Sequence, residues 1–147
     1  NNIFVIFTKA ERLNKVIKKP VGIDLIENYK RAFNILNSET QQQNKDYKGS
    51  ADPALFKSNF EKDLFKKIHD IRKNFTSINL ENDYDSQLSL LASLKKEVEN
   101  FFDNVIVNDN DVVIKKNRLE LLKMLCNTFD KYFNFEKIEF LNEKAGI

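Results

Sequence analysis

Apolar residues return at three- and four-residue steps along nearly the whole chain, as in helices that bury one face. Ile3, Ile6, Phe7, Ala10, Leu13 and Ile17 form the first such stripe. Pro20 closes it, because proline disfavours the helical conformation in the residue before it. A second stripe runs through Ile26, Tyr29, Phe33 and Leu36 and gives way to a polar stretch, Asn37 to Ser50, that includes Gln41, Gln42 and Gln43. This change of pattern predicts an internal polar loop over 37–51, exposed and mobile. Asp52 and Pro53 then read as an N-cap and a first-turn proline, opening a long third helix. Its buried side holds Phe56, Phe60, Leu64, Ile68, Ile71 and Phe75.

Asn79 to Asp83 makes a polar turn before a fourth helix, with Tyr84, Leu88, Leu91, Val98, Phe101 and Phe102 inward. Val105-Ile106-Val107 is short, flanked by Asn and Asp, and reads as extended. A fifth helix spans about Val112 to Phe133, with Leu119, Leu122, Cys126, Phe129 and Phe133 as its stripe. Phe135 to Leu141 forms a short amphipathic turn or helix. No run alternates long enough to build a sheet, so the pattern predicts an all-α bundle of five to six helices in a single domain, 1–147.

Composition supports a packed core. Of 147 residues 41% are hydrophobic, and three Gly and two Pro are too few for a loop-dominated fold. The lone cysteine, Cys126, has no internal partner and lies in an apolar run, which predicts a buried thiol in a reducing compartment. No stretch is long and apolar enough for a membrane span. The chain opens at Asn1 directly in an apolar segment and reads as a piece of a longer polypeptide.

Candidate chemistry is sparse. A single His, His69, rules out a multi-His metal centre, and the neighbouring Asp70 does not change that ligand arithmetic. Gly22, Gly49 and Gly146 are too scattered for a phosphate loop. Asp109 and Asp111 lack the Gly and Glu of a calcium loop; capping the fifth helix accounts for Asp111. At helical spacing the Phe stripes read as core, with Phe135 and Phe140 the better candidates for a partner surface. Nothing here makes a catalyst.

Charge is uneven although the net is only +2. Residues 1–78 carry 15 Lys/Arg against 9 Asp/Glu, residues 79–111 carry 2 against 8, and residues 112–147 carry 7 against 5. Local basic patches therefore exist without a basic coat. They are Lys15 with Lys18-Lys19, Lys30-Arg31, Lys66-Lys67 with Arg72-Lys73, and Lys115-Lys116-Asn117-Arg118. The last patch opens a helix, where cations oppose the macrodipole, so it reads either as a phosphate site or as a solvated face.

Four segments resemble one family. Glu99 to Val107 is similar to a family segment "FFDNVMV", and Lys116 to Leu122 to "NRLALL". Asn28 to Leu36 resembles "NKRVxNIL", and Asp52 to Phe56 with Glu61 to Leu64 resembles "VDPALF…EKAL". Their order, over residues 28–122, is that of the C-terminal anticodon-binding (DALR-type) domain of the bacterial glycyl-tRNA synthetase β subunit. The DALR tetrapeptide itself does not occur, which favours this subunit over arginyl and cysteinyl relatives. The resemblance implies a DALR-type helical bundle that is part of a cytoplasmic glycine–tRNA ligase and grips the anticodon region of tRNA(Gly). It implies as partners the ligase's α subunit, which carries out the ATP- and Mg²⁺-dependent chemistry, and the rest of the β subunit. This chain itself would need no cofactor and no membrane. Lys30, Arg31 and Asn34 match one motif and Asn117 and Arg118 another, so the resemblance implies them as RNA-binding residues; Lys115 and Lys116 join them from the basic patch that opens the fifth helix, the Lys and Arg for phosphates or stacking and the Asn for base edges. The acidic stretch 79–111 would face away from RNA or meet another protein surface. The alternative is a structural or subunit-docking module whose basic patches are merely solvated.

Overall fold

A computed structural model describes residues 20–43, 46–75 and 89–132. The expected first helix, the Asn79–Asp83 turn and the C-terminal Phe135–Leu141 piece lie outside those residues. Within them are four helices, α1 (Pro20–Gln43), α2 (Asn59–Phe75), α3 (Lys95–Asn104) and α4 (Val112–Tyr132), and no strand. α4 packs against α1 and α2, and α3 packs against the same two, so the four close around a shared core. The all-α class expected from periodicity is the class observed.

Within the described residues α1 runs from Pro20. Leu25, Ile26, Tyr29, Ala32 and Leu36 are its buried stripe. The helix then runs on through the polar residues to Gln43, so the first half of the expected 37–51 loop is helical. The apolar pattern stops there because burial stops. Glu and Gln are good helix formers and need no core to continue a helix.

Residues 46–52 have no regular structure, yet they are tightly held. Tyr47 is buried in the core, and burial first, then the carboxylates of Glu39 and Glu120, push its phenol pKa up. The Lys48 and Ser50 N–H groups donate to the two Glu120 carboxylate oxygens at 3.1 and 2.8 Å. Asn117 accepts from the Asp52 N–H at 2.7 Å and donates to the Asp52 carbonyl at 3.0 Å. Gly49, at φ 87°, lies so close to α4 that a Cβ would meet the Met124 Cα at 3.3 Å. The expectation of an exposed loop fails here because α4 supplies the hydrogen-bond partners that water would otherwise provide.

Asp52 caps a short 3-10 turn, Pro53–Leu55, rather than the long helix expected from this point. That helix, α2, starts at Asn59, and Ser58 and Glu61 mark its start. The Ser58 hydroxyl accepts from the Glu61 N–H at 3.4 Å and donates to the Glu61 carboxylate at 3.1 Å, which also takes the Lys57 N–H at 3.2 Å. Leu64, Ile68 and Ile71 face the core. Arg72, part of an expected basic patch, donates instead to Thr128 and to the Met124 carbonyl of α4, at 2.9 and 3.2 Å.

The expected fourth helix is broken. Residues 89–92 are helical, 93–94 turn, and α3 follows with Val98, Phe101 and Phe102 buried. Val105 is extended, as expected for the short run flanked by Asn and Asp. α4 is capped by Asp111, which accepts from the Val113 N–H at 2.9 Å. It is buried on more than one face: Leu119, Leu121, Leu122, Leu125 and Phe129 are all shut off from solvent.

Candidate nucleic-acid interface

The residues singled out from the sequence end in two different settings. On α1 the core stripe at 25, 29, 32 and 36 leaves positions 31, 34 and 38 pointing outward, three and four residues apart. Arg31 and Asn34 are exposed, and Lys30 beside them is partly buried. The Arg31 guanidinium lies 4.3 Å from the centre of the Phe102 ring, stacked on the aromatic face. The ring holds the cation at an exposed position, where its remaining N–H groups can meet a ligand.

Across from these residues runs the segment that leaves α3. Arg31, Asn34, Ile35, Ser38 and Glu39 form one wall of a groove, and Phe102 with residues 105–108 forms the other. The groove encloses about 530 Å³, and Ile106 stands in it 71% exposed. A site of this size matches a small organic ligand or an unstacked nucleotide. Its parts are the ones single-stranded RNA needs: a planar cation, an amide that both donates and accepts, and an apolar face.

Glu39 brings a negative charge to the groove's end, and Lys115 of α4 holds it at 3.0 Å, both side chains mostly covered. Lys115 therefore borders the groove but is already paired. Lys116, one residue on, is exposed.

Asn117 and Arg118 sit elsewhere. They are 4% and 7% exposed and belong to the interior. Asn117 is committed to the Asp52 backbone. The Arg118 guanidinium meets the Glu61 carboxylate at 3.2 Å, the Asp109 carboxylate at 3.2 Å and the Ile106 carbonyl at 2.6 Å. A side chain so enclosed and so occupied has no face for a phosphate. The helix N-terminus is likewise spent on Asp111.

A second depression, of about 230 Å³, lies between α2 and α3. The Lys66-Lys67 patch lines it with Lys96, but Asp63, Asp70 and Glu97 line it too. Equal numbers of opposite charges give it no pull on a polyanion. His69 is exposed and rests on the Phe65 ring, 4.4 Å between centres. Among the described residues no group of three or more His, Cys, Asp or Glu side chains is placed to hold a metal ion, and no helix is long and apolar enough to cross a membrane. Burial pushes the Cys126 thiol up to about 12, so it stays protonated.

Sequence reasoning missed Ser38, Glu39, Ile106 and Asn108 as lining residues. The outward spacing of 31, 34 and 38 was a usable signal for the first. Residues 105–108, which form a wall of the groove, lie inside an acidic segment that carried no site signal of its own. Two of that segment's carboxylates turn elsewhere, Asp109 toward Arg118 and Glu97 toward the second depression.

Comparison with known proteins gives this geometry a context. The family model of the DALR anticodon binding domain matches residues 25–143. The glycine–tRNA ligase beta subunit of Rickettsia prowazekii (strain Madrid E) is 39% identical over 127 residues, covering 86% of this chain and 18% of the relative. That of Rickettsia bellii (strain OSU 85-389) is 38% identical over 137 residues, covering 93% and 19%. The chain thus spans about a fifth of the length of these curated relatives. No solved structure matches it. With the family match covering most of its length and an all-α architecture to go with it, the chain belongs to the DALR anticodon-binding domain family.

Proposed function

We propose that this chain is a non-catalytic domain of a cytoplasmic glycine–tRNA ligase and that it grips the anticodon region of tRNA(Gly). In this reading the chain is one part of a longer β subunit, and the ATP- and Mg²⁺-dependent synthesis of glycyl-tRNA takes place on a separate α subunit. The observation that carries it is the groove beside α1. There Arg31, seated on Phe102, offers a flat cation to a splayed base or a phosphate, and Asn34 offers an amide to a base edge. Lys30 and Lys116 supply phosphate contacts on the adjoining surface, and Lys115 borders the groove through Glu39. Asn117 and Arg118 serve the fold around the groove and do not contact RNA.

A second reading, docking against another protein surface, is favoured by one observation: Val112 and Val113 at the start of α4 are exposed together with Ile106.

Binding of the chain to a labelled tRNA(Gly) anticodon stem-loop, beside a loop with an altered anticodon, separates the two across a salt series. Tighter binding to the glycine anticodon at every salt concentration is the expected result. Equal and steeply salt-dependent binding to both loops would reduce the groove to a non-specific basic surface. Absence of binding by the folded chain would favour the docking reading.

A further inference from the structure

We propose that Arg118 is a positioning residue for the α1 groove: it fixes the 105–109 segment as a rigid wall without touching RNA. The proposal rests on the RNA reading of the groove and adds a residue on which that binding depends.

The segment between α3 and α4 packs Val105 and Val107 against the core and ends on the Asp111 cap, but Ile106 between them has no apolar hold. The segment's own hydrogen bonds are local: the Val105 N–H returns to Phe101, and the Asp109 N–H returns to Val107, both at 2.9 Å. The Asp109 carboxylate also takes the Asp111 N–H, at 2.8 Å, and among the described residues the side chain that reaches residues 106–109 from another element through hydrogen bonds is Arg118. One terminal nitrogen of the guanidinium donates to the Ile106 carbonyl at 2.6 Å and to Asp109 at 3.2 Å. The other donates to Glu61 at 3.2 Å. Glu61 is fully buried and is itself fixed by Ser58 and the Lys57 N–H, so the far anchor is immobile. The planar fork thus ties the start of α2, the groove wall and α4 together. A single ammonium cannot span all three acceptors in this way.

Stability alone is a poor reason for the arrangement. The second Glu61 carboxylate oxygen and the Arg118 Nε are buried without a hydrogen-bond partner among the described residues. A buried ion pair left partly unsatisfied is commonly matched or bettered by apolar residues of the same volume. What apolar residues cannot supply is a directed hold on the Ile106 carbonyl. Ile106 and its neighbours line the groove, and a wall fixed in advance spares the ligand the cost of ordering it.

The test is binding of the same labelled anticodon stem-loop to the chain and to Arg118→Lys and Asp109→Ala, with folding checked by urea denaturation. Both folded variants are expected to bind about 5- to 10-fold more weakly, the order expected when a preorganised wall is loosened. The lines of log affinity against log salt should stay parallel to wild type, because no Lys or Arg lies between Val105 and Asp111 to take a phosphate with it. Asp109→Ala is the sharper variant. It removes a negative charge at a part-exposed position, so a purely electrostatic effect would tighten RNA binding, whereas a loosened wall weakens it. Equal or tighter binding by Asp109→Ala would overturn the proposal, as would Arg118→Lys within twofold of wild type, a changed salt slope, or failure of both variants to fold. Wild-type chain that folds and does not bind would overturn the groove reading itself, a result distinct from all of these.

Discussion

Two motifs that look alike in the sequence, Lys30-Arg31 with Asn34 and Lys115-Lys116-Asn117-Arg118, meet opposite fates. On α1 Arg31 and Asn34 of the first lie away from the core-facing stripe and reach the groove. On α4 the second is on a helix packed by α1, by α2 and by the 46–52 segment, and of its four residues only Lys116 is exposed. The difference lies in the helix and not in the residues. A helix buried on several faces has to satisfy its charges inside, Arg118 with Glu61 and Glu120 with the Lys48 and Ser50 N–H groups. Family-like motifs therefore mix residues that line a candidate site with residues that hold the fold in shape.

Substitutions in the two motifs should separate most clearly in stability. Arg118→Met leaves Glu61 buried and uncompensated and is expected to cost about 3–5 kcal/mol by urea denaturation. Arg31→Ala gives up one exposed stacking contact and should cost under about 1 kcal/mol. In RNA binding the same Arg31→Ala should lose about 1–3 kcal/mol, the usual scale for a stacked base. If instead Arg31→Ala unfolded the chain while Arg118→Met did not, the contrast between the motifs would be void.

Asn117→Ala comes next. It strands the Asp52 N–H and carbonyl and should cost about 1–3 kcal/mol, seen as a lower midpoint with an unchanged slope in urea. Lys115→Ala breaks a pair at the rim of the groove and should cost no more than about 1 kcal/mol. A larger loss would mean that α4 is anchored to α1 through Glu39.

The smallest effect at neutral pH belongs to Cys126. Its thiol pKa is raised from 9.0 to about 12, chiefly by burial, so the fold favours the protonated form. The stability this represents is complete below pH 9 and is lost as pH climbs toward 12. Tyr47, shifted the same way, adds to the alkaline loss. Thermal melts at pH 7 and pH 10.5 should show the decline, and Cys126→Ala should flatten part of it.

Much of the fold was legible because periodicity reports burial. The stripes of α1, α2 and α4 and the Asp111 cap follow from spacing and side-chain chemistry. What spacing does not report is helix without burial, which is why α1 outlasts its apolar pattern by a whole polar stretch. Nor could it show that the Asp52-Pro53 signal serves a single short turn while Ser58 and Glu61 open α2. The candidate site was half legible. Arg31 and Asn34 emerge on the groove, but the partners that take Arg118 inward are 9 and 57 residues away in sequence. Only packing brings these groups together, and packing angles are not written in any local pattern.

The hold of α4 on residues 46–52 has a consequence for how this region can change. Glu120 and Asn117 grasp the main chain of Lys48, Ser50 and Asp52, and a main chain is the same whatever side chain it bears. Lys48 and Ser50 should thus be open to wide substitution, whereas Tyr47 and Gly49, held by burial and by close approach, should not. Divergence in this stretch would be read as a drifting loop, although its backbone is fastened to the centre of the molecule.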